Sequence, residues 1–397
     1  MQHDIKLGKQ QQQAVDMFRD WYQPGQTGVF YLGGYAGTGK TTTAKVIYDA
    51  FNCVAMAPTG KAAEVLTRKG IPAKTIHSCI YKANRGNAGK IKKVRMALEN
   101  GEISQSDGER ELHNLIKNEN PSFELSIGSG DEVDIDLIIC DEFSMVTDKM
   151  LEDMLNLGIP ILALGDPGQL PPVGGRQSHK PDFTLTEIHR QAEDNPIIML
   201  SMMAREDGRI PFGDWGAAKK IKRSDYDRGL LFEHDQIICG RNATRHKINR
   251  TYRKEKGLLG TYPLSGERLI CLKNDHERGF VNGMMCTAAE DFDEQAFMLS
   301  IDKDGDRYDE LTTYVGPFCE TYGQKFSPLG WDEKMDMSEF DYGYAITCHK
   351  SQGSEWDSVF VIEEPTGRSD EERARWLYTA VTRAKSKLTI MPNAAKR

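Results

Sequence analysis

The sequence predicts an α/β protein made of two units with parallel sheets, each interrupted by an insertion. Three observations carry this. Short, continuously apolar runs alternate with amphipathic stretches of helical period, and strands buried on both faces between helices belong to parallel sheets. The 397 residues exceed what one ordinary core holds, which favours two large domains. A phosphate-cradling pattern, G-x-x-x-x-G-K-[ST], fills Gly34 to Thr41 where such a run, Val29-Phe30-Tyr31-Leu32, meets such a stretch, Thr42 to Phe51.

The elements follow in order. Strands are predicted over 28–33, 52–57, 136–141, 160–165, 236–240, 357–362 and 387–391. Helices are predicted over 9–20, 40–51, 60–69, 147–156, 192–204, 244–256 and 370–384. The units break near 191–205, giving domains of 1–190 and 191–397. Residues 81–130 are polar, with weak helical periodicity, and separate the first unit's strands as an insertion. Residues 259–340 carry β-type runs at 267–272, 284–288 and 295–301, joined by Asn282-Gly283 and Asp304-Gly305. Both pairs are hairpin-turn signals, so a small antiparallel barrel inserted in the second unit is expected. No internal repeat is present.

The chemistry begins at the phosphate loop. Glycines let backbone N–H groups converge on phosphate oxygens, and the helix N-terminus adds a favourable dipole. Gly37, Thr38, Gly39, Lys40, Thr41 and Thr42 are the candidate phosphate-binding residues. Lys40 reaches the β- and γ-phosphates, and the Thr41 hydroxyl holds Mg²⁺. The chain is therefore expected to bind a nucleoside triphosphate. A second signal, Leu137-Ile138-Ile139-Cys140-Asp141-Glu142, ends a buried strand in two acids, where ligands collect. Asp141 is the expected second Mg²⁺ ligand, and Glu142 the base for an attacking water. A third, Leu164 to Val173, places Gln169 to sense the γ-phosphate or that water.

Together with further stretches, these motifs resemble the superfamily 1B helicases of the RecD-like and Dda-like kind. The added matches are Leu7 to Ala14, Ala57 to Ala63, Thr75-Ile76-His77-Ser78, Phe143-Ser144-Met145, Leu185 to Gln191, Ala345 to Glu355 and Leu377 to Lys385. The resemblance implies two RecA-like P-loop motor domains, with an SH3-like barrel as the second insertion and a wedge or pin in the first. It implies an ATP-dependent DNA helicase, with ATP and Mg²⁺ in the cleft, moving 5′ to 3′ on single-stranded DNA in replication, recombination or repair. Gln11 falls in the adenine-reading position; Gly353 and Glu355 resemble the ribose contacts. Arg190 and Arg383 resemble arginines that close on the γ-phosphate from across the cleft. Pro58, Thr59, Thr75, His77, Thr347, His349 and Lys350 resemble a set that contacts the DNA backbone. Asn242 and Thr244 begin a basic helix after a strand, a sound place for a phosphate. The resemblance is to the compact phage-type arrangement, for which neither a long extension before the motifs nor a nuclease motif after them is expected. Thr382-Arg383 stands where Pif-type helicases tend to have Ser-Arg.

Net charge is −8, yet binding to a polyanion depends on local charge, and basic clusters occur at Lys90–Arg95, Lys219–Arg223 and Arg241–Lys256. Apolar content of 39% and charged content of 28% describe a soluble globular chain. No apolar run approaches the roughly 20 residues that span a bilayer, and Met1-Gln2-His3-Asp4 does not open a signal peptide. Eight dispersed cysteines without a C-x-x-C pair fit reduced, buried thiols of a cytoplasmic protein, and the resemblance implies a bacterial or phage-infected host cytoplasm. The expected partners are single-stranded DNA and single-strand/duplex junctions, with a single-strand-binding protein or replisome component, for a chain active as a monomer away from membranes. Nothing in the sequence reads a 2′-hydroxyl, so DNA against RNA stays open. The wedge residue is also open, with Tyr81 and Phe123 the insertion's aromatics. For Trp331 and Trp356 core packing is favoured over stacking on bases.

Overall fold

The computed structural model describes residues 7–23, 25–83, 93–94, 96–98, 103–104, 107–108, 110–111, 123–125, 135–171, 179–188, 194–275, 278–324, 334, 337–364 and 366–393. In the first part of the chain lie β1 (Val29–Gly34), β2 (Cys53–Ala57), β3 (Ala73–Thr75), β4 (Tyr81–Ala83), β5 (Phe123–Leu125), β6 (Leu137–Cys140), β7 (Ile161–Gly165) and β8 (Phe183–Leu185). Six of them form one sheet in the order β3-β2-β6-β7-β1-β8. Every pairing in it is parallel. All residues of β6 and β7 are buried, as expected for strands covered on both faces. The pleat divides β1 between two cores: Phe30 and Leu32 join Phe18, Leu162 and Leu164, while Tyr31 joins Ile138, Cys140 and Ala163. Strands β4 and β5 pair antiparallel and bring the two ends of the 81–130 insertion together. Most of that insertion, including basic residues Lys90, Lys92 and Arg95, lies outside the described residues, as does Trp331.

The second part holds β9 (Gly213–Asp214), β10 (Ala218–Lys220), β11 (Gln236–Cys239), β12 (Arg268–Cys271), β13 (Met285–Ala288), β14 (Met298–Lys303), β15 (Asp306–Tyr314), β16 (Ser338–Tyr342), β17 (Ala345–Thr347), β18 (Trp356–Glu363) and β19 (Ala384–Pro392). Six form a second sheet in the order β17-β11-β18-β19-β10-β9, parallel except for the short β9 at its edge. Strands β12 to β16 close into a barrel. Its pairings are antiparallel but for one, since β15 and β16 run parallel. The helix Gly316–Thr321 lies in the connection between those two strands, which at residues 315–337 is long enough for the crossover a parallel pair needs. Asp304 and Gly305 make the expected two-residue turn, with φ of 51° and 97°. Asn282-Gly283 does not join two strands directly; it sits in the longer connection from β12 to β13.

Helix ends differ from the sequence expectation for local reasons. The helix expected at 192–204 is Pro196–Glu206, because Asn195 caps it, its side chain accepting from the Ile197 N–H, and Pro196 suits the first turn. The helix expected to reach 384 is Asp370–Val381: Ala384 is already paired with Trp356 in the second sheet, which leaves Thr382-Arg383 as the turn between them. The basic stretch 241–256 is not simply a solvated face. Arg253 is fully buried and bonds Glu267, while Arg245 is buried against Asp341, so two of its charges tie the helix Asn242–Glu255 to the barrel. Trp356 is partly buried against the second unit's core. All eight cysteines are free; Cys53 and Cys79 are half-buried and the other six buried. Among the described residues no helix is long and apolar enough to cross a membrane.

Candidate functional site

Three neighbouring strands of the first sheet, β6, β7 and β1, end on one cavity of about 510 Å³. At the end of β1 the phosphate loop turns into the helix Lys40–Tyr48, with Gly37 and Gly39 both at φ 79°, a region that favours glycine. A Cβ on Gly34 would lie 2.7 Å from Lys40 Cγ, so the loop closes only around a bare backbone. The Lys40 ammonium donates to the carbonyls of Gly34 and Tyr35, which holds it over the loop. Asp141 and Glu142 follow β6; Asp166 and Gln169 follow β7, and all four line the cavity. The opposite wall comes from the second unit through Gly353, Glu355 and Arg383.

Burial governs the charges here. Desolvation raises the Asp141 carboxyl, and it raises Glu142 to about 7, with neighbouring Asp141 adding to the rise and Arg383 and Lys40 pulling it back. Glu142 also sits at φ 50°, an uncommon conformation for a residue with a side chain. The Thr41 hydroxyl and the Asp141 carboxylate give an oxygen-only donor set beside the phosphate loop, which suits a hard divalent cation such as Mg²⁺. Gln169 is 6% exposed, and its Oε1 has no partner among the described residues. Arg383, 4% exposed, donates to the carbonyls of Thr379 at 3.0 Å and Ser354 at 3.2 Å and to the Thr382 hydroxyl at 3.1 Å, all neutral groups.

A second cavity, of about 350 Å³, lies beyond the helix Gly60–Arg68. Pro58, Thr59, Gly60, Thr75 and His77 come from the first unit, His349 and Lys350 from the second, and Asn274, Val281, Asn282 and Gly283 from the barrel. Burial lowers the pKa of both His349 and Lys350. The two cavities share a wall. Ala62, Val65 and Lys69 face the first cavity and residues 58–61 the second, while Gly353 lines the first and its neighbours Gln352 and Ser354 the second. Gly353 has φ 72°, and a Cβ there would lie 3.0 Å from Thr59 Oγ1, so the units meet closely at this wall.

The structure thus gathers Gly37, Gly39, Lys40, Thr41, Thr42, Asp141, Glu142, Gln169, Gly353, Glu355 and Arg383 around one cavity. Gln11 and Thr38 stand just behind it: Gln11 donates to the Gly39 carbonyl, and the Thr38 hydroxyl donates to that of Tyr35. Arg190 lies outside the described residues. The second cavity gathers Pro58, Thr59, Thr75, His77, His349 and Lys350. Three residues stand apart from its walls: Thr347 is buried in β17, the Thr244 hydroxyl donates to Glu364, and Asn242 accepts from Arg245. Sequence reasoning passed over Tyr378. Its hydroxyl accepts from the Ala36 N–H of the phosphate loop at 2.9 Å and donates to Asp166 at 2.6 Å. A tyrosine inside the Leu377–Lys385 motif was the available signal.

An AAA domain family matches residues 6–224, more than half of the chain, and a UvrD-like helicase C-terminal domain matches residues 342–391. The ATP-dependent RecD2 DNA helicase of Deinococcus radiodurans is 24% identical over 390 residues, covering 90% of this chain. The chain belongs to the AAA-domain family and is similar to the RecD-like superfamily 1B helicases. The chain spans only 46% of the RecD2 protein's length. It is also 30% identical over 484 residues to the uncharacterized protein R530 of Acanthamoeba polyphaga mimivirus, covering 91% of the chain and 95% of that protein. In fold it is similar to Bacteroides Pif1 bound to ssDNA, with a TM-score of 0.53 at 20% identity over 98% of this chain and 92% of that one.

Proposed function

We propose that this chain is an ATP-dependent DNA helicase that moves 5′ to 3′ along a single strand and unwinds duplex DNA. The shared wall carries the reading. A cleft built for a nucleoside triphosphate and a cavity lined by hydroxyls, imidazoles and a lysine have the first turn of one helix and one loop in common. Any closure of the cleft is therefore felt in the second cavity.

In this reading residues 1–190 and 191–397 are RecA-like motor domains, the barrel is SH3-like, and the 81–130 insertion supplies the wedge. Lys40 binds the β- and γ-phosphates, with Gly37 to Thr42 cradling them. Glu142, with a pKa of about 7, takes a proton from the attacking water, which Gln169, its Oε1 unpartnered among the described residues, orients. Thr41 and Asp141 would hold Mg²⁺, which supplies positive charge to the phosphates. Arg383, with Arg190, balances the charge that develops as the phosphoryl group leaves. Gln11 reads the adenine, and Gly353 and Glu355 meet the ribose. Pro58, Thr59, Thr75, His77, His349 and Lys350 hold the strand by its backbone, joined by Asn242, Thr244 and Thr347 along its path. The chain acts as a monomer on single strands and junctions, beside a single-strand-binding protein or replisome component.

Strand displacement on 5′-tailed and 3′-tailed duplexes, side by side, tests activity and polarity together. The expected result is ATP-dependent displacement of the 5′-tailed substrate alone, abolished in Lys40→Ala. Hydrolysis stimulated by DNA without displacement of either substrate would make the chain a translocating or clamping module instead.

A further inference from the structure

Leu170 belongs to the first unit by sequence and to the second by its surroundings. It is 4% exposed and lies in the buried cluster formed by Ile197, Leu200, Trp376, Tyr378 and Val381. Both of its backbone groups are taken by the second unit as well. Its N–H donates to the Thr379 hydroxyl at 3.0 Å, and its carbonyl accepts from the Gln352 amide at 2.8 Å. Four residues earlier, at the other end of the same loop, the Asp166 carboxylate accepts from the Tyr378 hydroxyl at 2.6 Å. That carboxylate also accepts from the Gly168 N–H at 2.9 Å, which closes the loop on itself. A loop of the first unit is thus pinned at both ends to one turn of the helix Asp370–Val381. Between the pins stands Gln169, on the cavity wall with its Oε1 unpartnered among the described residues.

We propose that residues 166–170 travel with the second unit, and that Leu170 and Tyr378 are positioning residues that set Gln169 in the nucleotide cleft. The proposal rests on the reading of the cleft as an ATPase. A rigid first-unit loop would carry Gln169 with the phosphate loop whatever the second unit does. A loop pinned as this one is carries Gln169 toward or away from the phosphates as the units close or open, so hydrolysis waits for closure. The same Tyr378 hydroxyl also accepts from the Ala36 N–H of the phosphate loop, a bond that Leu170→Ala leaves intact, so Leu170→Ala isolates the loop's own contribution.

Two measurements test it. The first is ATP hydrolysis with single-stranded DNA in Tyr378→Phe, Leu170→Ala and Leu170→Met, each made in the wild-type chain and in Gln169→Ala. In the wild-type chain Tyr378→Phe and Leu170→Ala should lower kcat by up to about 10²-fold with KM for ATP little changed, and Leu170→Met should restore most of it. In Gln169→Ala the same changes should cost nothing further, since residues that act through one group are not additive. Equal proportional losses in both backgrounds would overturn the proposal. The second measurement is amide hydrogen exchange over 166–170, which needs no turnover. Tyr378→Phe should lower protection there on the order of tenfold, as loss of one buried hydrogen bond predicts. Unchanged protection would also overturn the proposal. A wild-type chain that exchanges as expected but hydrolyses no ATP would instead sink the ATPase reading.

Discussion

Val281 of the barrel and Gly60 of the first unit approach so closely that a Cβ on Gly60 would lie 2.5 Å from Val281 Cγ2 and 2.8 Å from Val281 Cβ. Two effects oppose each other in Gly60→Ala. Alanine at a helix start gains up to about 1 kcal/mol in propensity, whereas the overlap costs about 1–3 kcal/mol and involves a branched side chain held by the barrel. The overlap should win and push the barrel turn away from the second cavity. Affinity for a labelled oligothymidylate, read by fluorescence anisotropy, should fall about tenfold, and Val281→Ala in the same chain should restore part of it. Unchanged affinity in Gly60→Ala would separate this contact from strand binding.

The barrel is held to the second unit by Arg253, which is fully buried. Its guanidinium donates to both Glu267 carboxylate oxygens at 2.8 and 2.9 Å, and to the carbonyls of Gly260 at 2.6 Å and Tyr262 at 2.9 Å. It also lies 4.5 Å from the Tyr342 ring centre. Arg253→Ala leaves the Glu267 charge buried without its partner, at a cost of about 3–5 kcal/mol. Scanning calorimetry should then show the second unit's transition roughly 6–20 °C lower. Arg253→Lys should not rescue it, since one ammonium cannot reproduce a planar fork serving Glu267, Gly260, Tyr262 and the Tyr322 hydroxyl.

How much of this was legible in the sequence follows the range of each contact. The phosphate loop, Asp141-Glu142 and the β7 loop are contiguous, and each follows a strand whose unbroken apolar run marks it as central. Their convergence therefore follows from the parallel sheet. Asp304-Gly305 was legible because a two-residue turn needs left-handed backbone at both positions. The same preference misled at Asn282-Gly283, where it serves a longer connection beside the second cavity. The Gly60–Val281 and Leu170–Thr379 contacts join residues about two hundred positions apart, and no local pattern encodes them. Nor does composition say that Arg245 and Arg253, within a basic run, point into the protein against Asp341 and Glu267.

His234 gives the chain an acid-sensitive element. Its ring bonds the Leu230 carbonyl at 2.9 Å and the Thr389 hydroxyl at 3.0 Å, a pairing that a neutral imidazole satisfies. Burial lowers its pKa below 6.5, with Lys387 and Lys219 adding to the fall and the Leu230 carbonyl and Glu233 opposing it. The folded chain thus binds this proton less readily than the unfolded one. Stability from the neutral ring is complete above pH 6.5 and is lost as pH falls from there through the folded-state value. The melting temperature should drop over that window, and the drop should shrink in His234→Gln. It should not vanish, because burial also lowers His246 and His349. An identical pH slope in the variant would contradict this assignment.

Arg383 should separate nucleotide binding from turnover. Its guanidinium shares the cleft with Lys40 and, among the described residues, is bonded to two carbonyls and a hydroxyl and to no carboxylate. It follows directly on the turn that Tyr378 and Thr379 fasten to the first unit. A cation so placed is strengthened by low dielectric, and it meets the phosphates fully only as the units close. Arg383→Ala should therefore bind a fluorescent ATP analogue as the wild-type chain does, while DNA-stimulated phosphate release falls about 10³-fold or more. Arg383→Lys should recover little, because an ammonium cannot keep the fork's contacts to Thr379, Ser354 and Thr382 while also facing the cleft. Equal losses of binding and turnover in Arg383→Ala would mean that the arginine grips the nucleotide in the ground state, which would remove the link between closure and hydrolysis.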